Sequence, residues 1–501
     1  MSLLGIDVGT SAVKVAAFQT DDSAPLAIAT VSYQAMFPAP GRVELDPDLV
    51  WAAFLEATLA VASNPAVRRD PVRALAFSAS CDEVIAINAT GAPLGPCIMA
   101  SDSRGGDEID VIGAILPELE SYRRTGLPLA AIHPLARILW YRRHEPEIAA
   151  KAARWLGWVE FLLMRLGLPV VTDETTAGRW LAYDLPERRW WPEALAAAGL
   201  DERVLPHVVP PSSVISDLGS AASRLGLEPG VVVAAGAFDQ ICAAIGAGLS
   251  EPGDVLVGSG SWENAVVVLD GPLGDAARDR GITWGRYVAD RYAGLIMNPA
   301  GGSVLRWFLE QFGRDMIRAG LRSGADPYAA LLRSLPREPA HALFLPHLQG
   351  SLAPWRDPGS KGALVGLTLA TKREELLRAV LEGITMELRL NLEPLPGGPS
   401  LGAPIRNTGG GARSPEWVRL KADVLGRPIA TVTVSEPGCL GAAILAGVAE
   451  GTYSSVSTAQ RRLCRLDRVV EPDPAARAHY DARFALYRTF YPTVRALTEA
   501  L

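Results

Sequence analysis

LLGIDVGTSAVKVAAF, residues 3–18, sets two apolar runs on either side of the small-residue segment VGTSA, with Asp7 just before it and Lys14 just after. The two runs predict strands. Gly9, Thr10, Ser11 and Ala12 predict the turn of a hairpin, because glycine admits positive φ and the hydroxyls hold the turn. A lone carboxylate inside an apolar strand is costly to bury unless it is paired or meets a cation. A turn of small residues exposes backbone N–H groups that cradle phosphate, an acid beside it organises Mg²⁺ through water, and a lysine adds positive charge. The stretch therefore reads either as the N-terminal hairpin of a buried sheet or as a phosphate loop.

GDVLVGSGSWENAVVVLD, residues 253–270, repeats the pattern of strand, small-residue turn and strand about half a chain later. Two such hairpins facing one cleft would grip a polyphosphate from both sides, although small-residue turns also resemble one another by chance. Between them apolar runs such as VRALAFSAS (72–80) and GVVVAAGAF (230–238) alternate with helical periodicity over 137–166 and 190–200, the rhythm of an α/β domain.

A chain of 501 residues predicts at least two domains. Its net charge of −7, without long basic runs, argues against non-specific nucleic-acid binding. Cys81, Cys97, Cys242, Cys439 and Cys464 are scattered without metal-ligand spacing, which suits a reducing cytoplasm. Neither a signal peptide nor an apolar run of ~18 residues stands out, so a soluble intracellular protein with no membrane partner is expected.

Three further segments bear on chemistry. In VVVAAGAFDQICAAIGAG (231–248) a strand ends near Ala237 and a helix begins at Asp239. That acid reads either as an N-cap or as a carboxylate pointing into a cleft, where it would accept a hydroxyl proton. NTGGGARSPEWVRLKADVLGRPIATVTV (407–434) places three glycines before Ser414 and Pro415, an expected N-cap and first helical residue, with the helix ending at Gly426. It is neither a GxxxxGK[ST] nor a GxGxxG motif, so a plain glycine-rich helix entry stays open beside a ligand cradle. GALVGLTLATKREELLRAVLEGITMELRLNLE (362–393) predicts a core helix with a Thr371/Glu374 capping box and Leu376, Val380, Ile384 and Leu388 on one face. The Pro/Gly-rich EPLPGGPSLGAP (393–404) reads as a surface loop.

GALVGL, seven residues, then ELLRAVLE resembles the C-terminal signature of the FGGY family of carbohydrate kinases. PLARILW (134–140) is similar to the N-terminal signature, with Arg137 where lysine is usual. GIDVGTS, GAFDQ, NPAGGS (298–303) and TGGGARSPEW follow in the family's order. The resemblance spans nearly the whole chain. It implies an α/β protein of two ribonuclease-H-like, actin-like ATPase domains, 1–246 and 247–501, flanking a central cleft in which ATP, Mg²⁺ and a small-molecule sugar meet. By position, Asp7 looks like the metal-organising acid, and Gly9, Thr10, Ser11 and Lys14 like the first phosphate loop. Gly258, Ser259 and Gly260 look like the second. Gly301, Gly302, Gly410, Gly411 and Ala412 would line the nucleotide side, and Asp239 would be the base. The expected reaction is transfer of the ATP γ-phosphoryl to a sugar hydroxyl. A homodimer is the assembly expectation.

In xylulokinase-like members the sugar strand commonly reads GQMHG; here ASCDE (79–83) puts Asp82 at the histidine position, and WNDQR becomes ASDSR (100–104). The expected acceptor set is Ser80, Cys81, Asp82, Asp102, Asp239 and Gln240, with Ala100 opening the pocket. Asp82 reads either as a sugar contact or as a salt-bridged structural acid; as a sugar contact beside Asp239 it favours a neutral ketose or polyol, since an aldonate such as gluconate would need a compensating cation, for which Arg104 is the nearby candidate. Trp262 reads as packing or as a wall of the nucleotide side. The six histidines, His133 among them, read as structural or surface residues. A non-kinase ATP-binding switch or sugar sensor on the same fold is the reading from another class.

Overall fold

The computed structural model describes residues 1–395 and 403–500. Its first hairpin forms where the sequence predicts it. β1 (Ser2–Val8) and β2 (Ala12–Gln19) pair antiparallel with Asp7 opposite Lys14, and the Gly9 N–H donates to the Ala12 carbonyl at 3.0 Å to close the turn. β3 (Pro25–Ser32) continues the meander beside β2. On the far side of β1 the chain returns in parallel as β4 (Val72–Ala79). β5 (Val214–Asp217) and β6 (Val232–Phe238) complete the sheet, β6 parallel to β4 and β5 antiparallel at the edge. Leu3, Leu4, Ile6 and Val8 are buried, as expected of a central strand covered on both faces. Asp7 is the one residue of β1 that keeps some exposure.

The second sheet repeats this plan. β7 (Val255–Ser259) and β8 (Glu263–Leu269) form a hairpin closed by the Gly260 N–H donating to the Trp262 carbonyl at 3.0 Å. β9 (Thr283–Arg286) and β10 (Tyr292–Asn298) follow, with β10 antiparallel to β8 and β9 at the edge. β11 (Ile405–Thr408) lies parallel to β7, β12 (Ile429–Val432) parallel to β11, and β13 (Leu466–Val470) closes the other edge. The shared core runs β3-β2-β1-β4-β6 in one sheet and β10-β8-β7-β11-β12 in the other, with the same strand directions. The echo between the two small-residue hairpins is thus the trace of a duplicated architecture.

Four helices shape the region between the sheets. α1 (Asp239–Gly246) leaves the end of β6. α2 (Arg373–Leu392) is buried along most of its length. Its capping box does not form: the helix starts after Lys372 with no side-chain cap, and the Thr371 hydroxyl instead accepts the Thr368 N–H at 3.0 Å, closing the turn just outside the helix. α3 (Pro415–Leu425) matches its sequence reading, since Ser414 caps it by accepting the Trp417 N–H and Gly426 ends it in the left-handed region. Of the loop expected over 393–404, residues 396–402 lie outside the described residues.

α4 (Pro437–Glu450) belongs to the second half of the chain yet packs on β1 and β4 of the first sheet and on α1. Glycines permit the approach. A Cβ on Gly441 would lie 1.9 Å from the Cys242 carbonyl oxygen, one on Gly246 2.0 Å from the Pro437 carbonyl oxygen, and one on Gly5 1.8 Å from the Cys439 carbonyl oxygen. These are backbone contacts that no rotamer change relieves. Gly441→Ala should therefore force α1 and α4 apart, costing about 1–3 kcal/mol or more as an overpacked core does. Thermal unfolding of the variant checks this, with an unchanged midpoint as the contrary result.

Candidate active site

Three cavities adjoin one another, the central one lined by the starts of α1 and α4. The central cleft, about 810 Å³, is lined by Asp7, Lys14, Asp239, Gln240, Gly410 and Ala412, with Glu436 and Gly438 from the start of α4. A smaller cavity of about 200 Å³ opens on Thr10, Ser80, Asp82, Ala100, Arg179 and Trp262, and also on Asp239 and Gln240. A third, about 680 Å³, is lined by Ser259, Gly260, Gly302, Gly410, Gly411 and Trp417. Asp239 and Gln240 thus stand where the cleft and the smaller cavity meet, and Gly410 stands between the cleft and the third cavity.

Asp239 is the first residue of α1, and the N-cap position belongs to Phe238. The N-cap alternative for the acid therefore falls away. Its Oδ1 is shut off from solvent without a hydrogen-bond partner. Burial, then the nearby Asp7 and Glu83, push its carboxyl up to about 8. Asp7 is also raised, chiefly by burial, against the pull of the Ser78 hydroxyl, which donates to it at 2.6 Å, and of Lys14. Lys14 bonds to Glu436 at 2.8 Å across the two halves of the chain. A Cβ on Gly438 would come within 3.3 Å of Asp7 Oδ1, so the first turn of α4 faces this acid directly. Helix N-termini at a cleft favour anions there.

The remaining expected residues divide clearly. Gly9 serves the first turn, and Gly301 packs under the second, where a Cβ would meet the Trp262 backbone at 2.7 Å. The Gly302 N–H donates to the Gly260 carbonyl at 2.8 Å, tying NPAGGS to that turn. Ser11 and Gly258 line none of the three cavities. Of the acceptor set, Ser80, Asp82, Asp239 and Gln240 face the smaller cavity. Cys81 is buried with its thiol turned to the Ala79 carbonyl. Asp102 does not reach the cavity either: it pairs with Arg104 and accepts the Val43 N–H at 2.6 Å, and Arg104 also bonds to Glu44. Both candidate residues of ASDSR are consumed locally, leaving Ala100 and Ser101 on the wall. Trp262 proves to be a wall of this smaller cavity and not of the third one.

Sequence reading missed the residues that hold Asp82. Arg179, 4% exposed, places Nε and Nη2 at 3.3 and 3.2 Å from its carboxylate, and His133 Nδ1 lies at 3.6 Å. Burial alone would raise Asp82, but Arg179 and His133 outweigh it and hold the acid down at about 2. Arg137, the departure from the family's lysine, donates to the carbonyls of Asp82 and Ala100, bracing the two segments that line the cavity. Glu83, wholly buried with both oxygens unpartnered, is pushed up to about 7 by burial and Asp82. The same stretch that carries Arg179 holds the residue before Asp239: Asp173 caps the one-turn helix Glu174–Ala177, and the Thr175 hydroxyl accepts the Phe238 N–H at 2.8 Å. The signal in TDETTAGR was an acid followed by two hydroxyls and an arginine inside an apolar context.

Among the described residues no group of three or more His, Cys, Asp or Glu side chains is poised to hold a metal ion, and no helix is long and apolar enough to cross a membrane. Asp7, a carboxylate on the cleft, is nonetheless the kind of donor that suits Mg²⁺, which keeps several waters and binds through one or two carboxylates plus substrate phosphates.

Residues 2–246 match the family model for the FGGY family of carbohydrate kinases, N-terminal domain, and residues 260–450 that for its C-terminal domain. A gluconokinase of Bacillus subtilis is 29% identical over 90% of this chain and 88% of its own length. A xylulose kinase of Staphylococcus epidermidis is 26% identical over 100% of this chain and 98% of its own. The crystal structure of xylulose kinase from Rhodospirillum rubrum superposes with a TM-score of 0.88 at 26% identity, covering 99% of this chain and 100% of that one.

The raised Asp239 carboxyl has a consequence for stability. Between its unfolded value of 3.8 and its folded value of about 8, the folded protein retains a proton that the unfolded chain has released, so stability falls as pH rises through this window and levels off above it. Asn at this position cannot ionise. The melting midpoint of Asp239→Asn should match wild type near pH 4 and exceed it increasingly up to pH 8; a constant difference across scanning-calorimetry runs at pH 4, 6 and 9 would contradict the assignment.

Proposed function

The chain belongs to the FGGY family of carbohydrate kinases and is an ATP-dependent sugar kinase, and from that premise we propose how its residues divide the work. The observation that carries the reading is the position of Asp239 on both the cleft and the smaller cavity. The smaller cavity takes the sugar. The cleft and the third cavity take ATP, with the triphosphate beside Lys14, the turn at 258–260 and the N-terminus of α4, while Thr10 of the first turn lines the smaller cavity. Asp239 removes the proton from the acceptor hydroxyl as that oxygen bonds to the γ-phosphorus and the bond from phosphorus to the departing ADP oxygen breaks. Phosphoryl transfer needs positioning and charge neutralisation and no covalent nucleophile. Asp7 would hold Mg²⁺ through water, with Lys14 beside it; the ion supplies neutralisation of phosphate charge. The 1–246 and 247–501 halves act as the two lobes of this cleft, and the five free cysteines fit work in the cytoplasm.

For the acceptor, the Asp82–Arg179 pair is close to neutral as a unit and sets a hydrogen-bond acceptor beside a donor. That arrangement suits adjacent hydroxyls of a neutral ketose or polyol. A second reading, a sugar acid, is favoured by one observation: Arg179 spends Nε and Nη2 on Asp82 and leaves Nη1 without a partner among the described residues. Arg104, the cation expected from sequence, is spent on Asp102 and Glu44.

Asp239→Asn should lower kcat at least ~100-fold, the amount a general base supplies, while ADP still binds. In wild type, kcat/KM for the sugar should rise with pH to a plateau above about 8, because the free enzyme must lose the Asp239 proton; a profile flat from pH 6 to 9 removes Asp239 as the base. The substrate class is read from kcat/KM for ketoses, polyols and aldonates in wild type, Asp82→Asn and Arg179→Met. A neutral preference that Asp82→Asn weakens about tenfold supports the first reading. A wild-type preference for an aldonate that Arg179→Met abolishes establishes the second.

A further inference from the structure

A fully buried ion pair lies behind the third cavity, where no cavity-lining role explains it. Lys421 of α3 is 1% exposed and Glu263, the first residue of β8, 0%. The Lys421 ammonium bonds to Glu263 Oε1 and to the Ser259 hydroxyl and sits 4.8 Å over the Trp417 ring. The Ser259 hydroxyl donates to Glu263 at 3.0 Å and accepts the Asn407 amide N–H at 2.8 Å. One hydroxyl therefore joins the hairpin β7–β8, strand β11 and helix α3. Ser259 is also the residue against which the glycine segment closes. Gly409, at φ +85°, would bring a Cβ within 2.8 Å of the Ser259 carbonyl oxygen, and one on Gly411 would meet Ser259 Cβ at 2.8 Å.

We infer that the Lys421–Glu263 pair is a positioning device for nucleotide binding: it fixes Ser259, and through Ser259 it sets the spacing between the turn at 258–260 and the glycines at 409–411. The inference rests on the reading of the third cavity as part of the ATP site. Two physical points carry it. Taking two charges out of water is rarely repaid in stability, and apolar residues of similar size commonly replace such a pair without loss of fold. Stability alone is thus a poor reason for this pair to exist. What an apolar replacement cannot do is hold the Ser259 hydroxyl from two sides in one orientation, with the loop main chain fixed on it. The effect reaches ATP through Ser259 and Gly409 to Gly411, none of which lines the sugar cavity, whereas Glu263 itself sits between Trp262 and Asn264 of that cavity's wall, so the sugar readout is taken from Ser259→Ala.

The test compares wild type, the double variant Lys421→Met/Glu263→Leu, and Ser259→Ala, which leaves the ion pair in place and removes the hydroxyl it orients. ADP affinity is measured by titration calorimetry, KM for ATP and for the sugar by steady-state kinetics, and folding by thermal unfolding. The expected result is an ADP Kd and an ATP KM raised about tenfold or more in both variants, with the KM for the sugar in Ser259→Ala within about twofold of wild type, because a displaced loop loses much of its binding geometry. The double variant should melt close to wild type. Wild-type ADP affinity in a folded double variant, or in Ser259→Ala should the double variant fail to fold, overturns the inference alone. A wild-type protein that binds no ADP overturns the reading of the third cavity and this inference with it.

Discussion

The site depends on two helices meeting backbone to backbone. α1 from the first half and α4 from the second touch through Gly246 and Gly441, and α4 touches β1 through Gly5. Only glycine allows carbonyl oxygens so close to an α-carbon. The contact puts the start of α1, with Asp239, and the start of α4, with Glu436 and Gly438, at the same end of the molecule as Asp7. The N-termini of α1 and α4 and the glycines at 409–410 then face one cleft, an arrangement that offers many N–H donors to an anion.

Charge in this region is arranged against the stability of the empty protein. Asp7, Glu83 and Asp239 all have raised carboxyls, each chiefly because burial penalises the ionised form. Asp82 is the exception, since Arg179 and His133 surround it. Adjacent acids 82 and 83 thus stand at about 2 and about 7 through environment alone. An acid with a raised pKa next to one held ionised is the pattern by which one site separates a proton acceptor from a fixed hydrogen-bonding charge. At Asp239 burial works against the ionised carboxylate, so the proposed role as a base would set activity against stability there.

Residues held from behind recur around the site. Thr175 accepts the Phe238 N–H just before Asp239, Arg137 braces the carbonyls of Asp82 and Ala100, and Lys421 bonds to Ser259 under the second turn. In each case a side chain distant in sequence orients a loop that faces a cavity. Cavity-facing loops positioned by buried polar groups are more precise than loops left to solvent.

The amino-acid sequence by itself determined the parts whose cause is local. The two hairpins, the strand-to-helix turn at Asp239 and the capped helix after TGGGARSP follow from β-branched runs, small turn residues, and Ser-Pro with a closing Gly. The family signatures carried the kinase reading and the two-sheet architecture. Where a local rule competed with packing it failed: Thr371 turned to Thr368 and left α2 uncapped, and Asp102 was taken by Arg104 and Val43. Only the tertiary structure decided that Arg179, 97 residues from Asp82, is its partner, that Trp262 walls the smaller cavity, and that α4 lies on the first sheet. The physical reason is common to all three. A side chain's partner, burial and protonation state depend on which distant segments the packed core brings within a few ångströms, and no periodicity or spacing along one chain encodes that meeting.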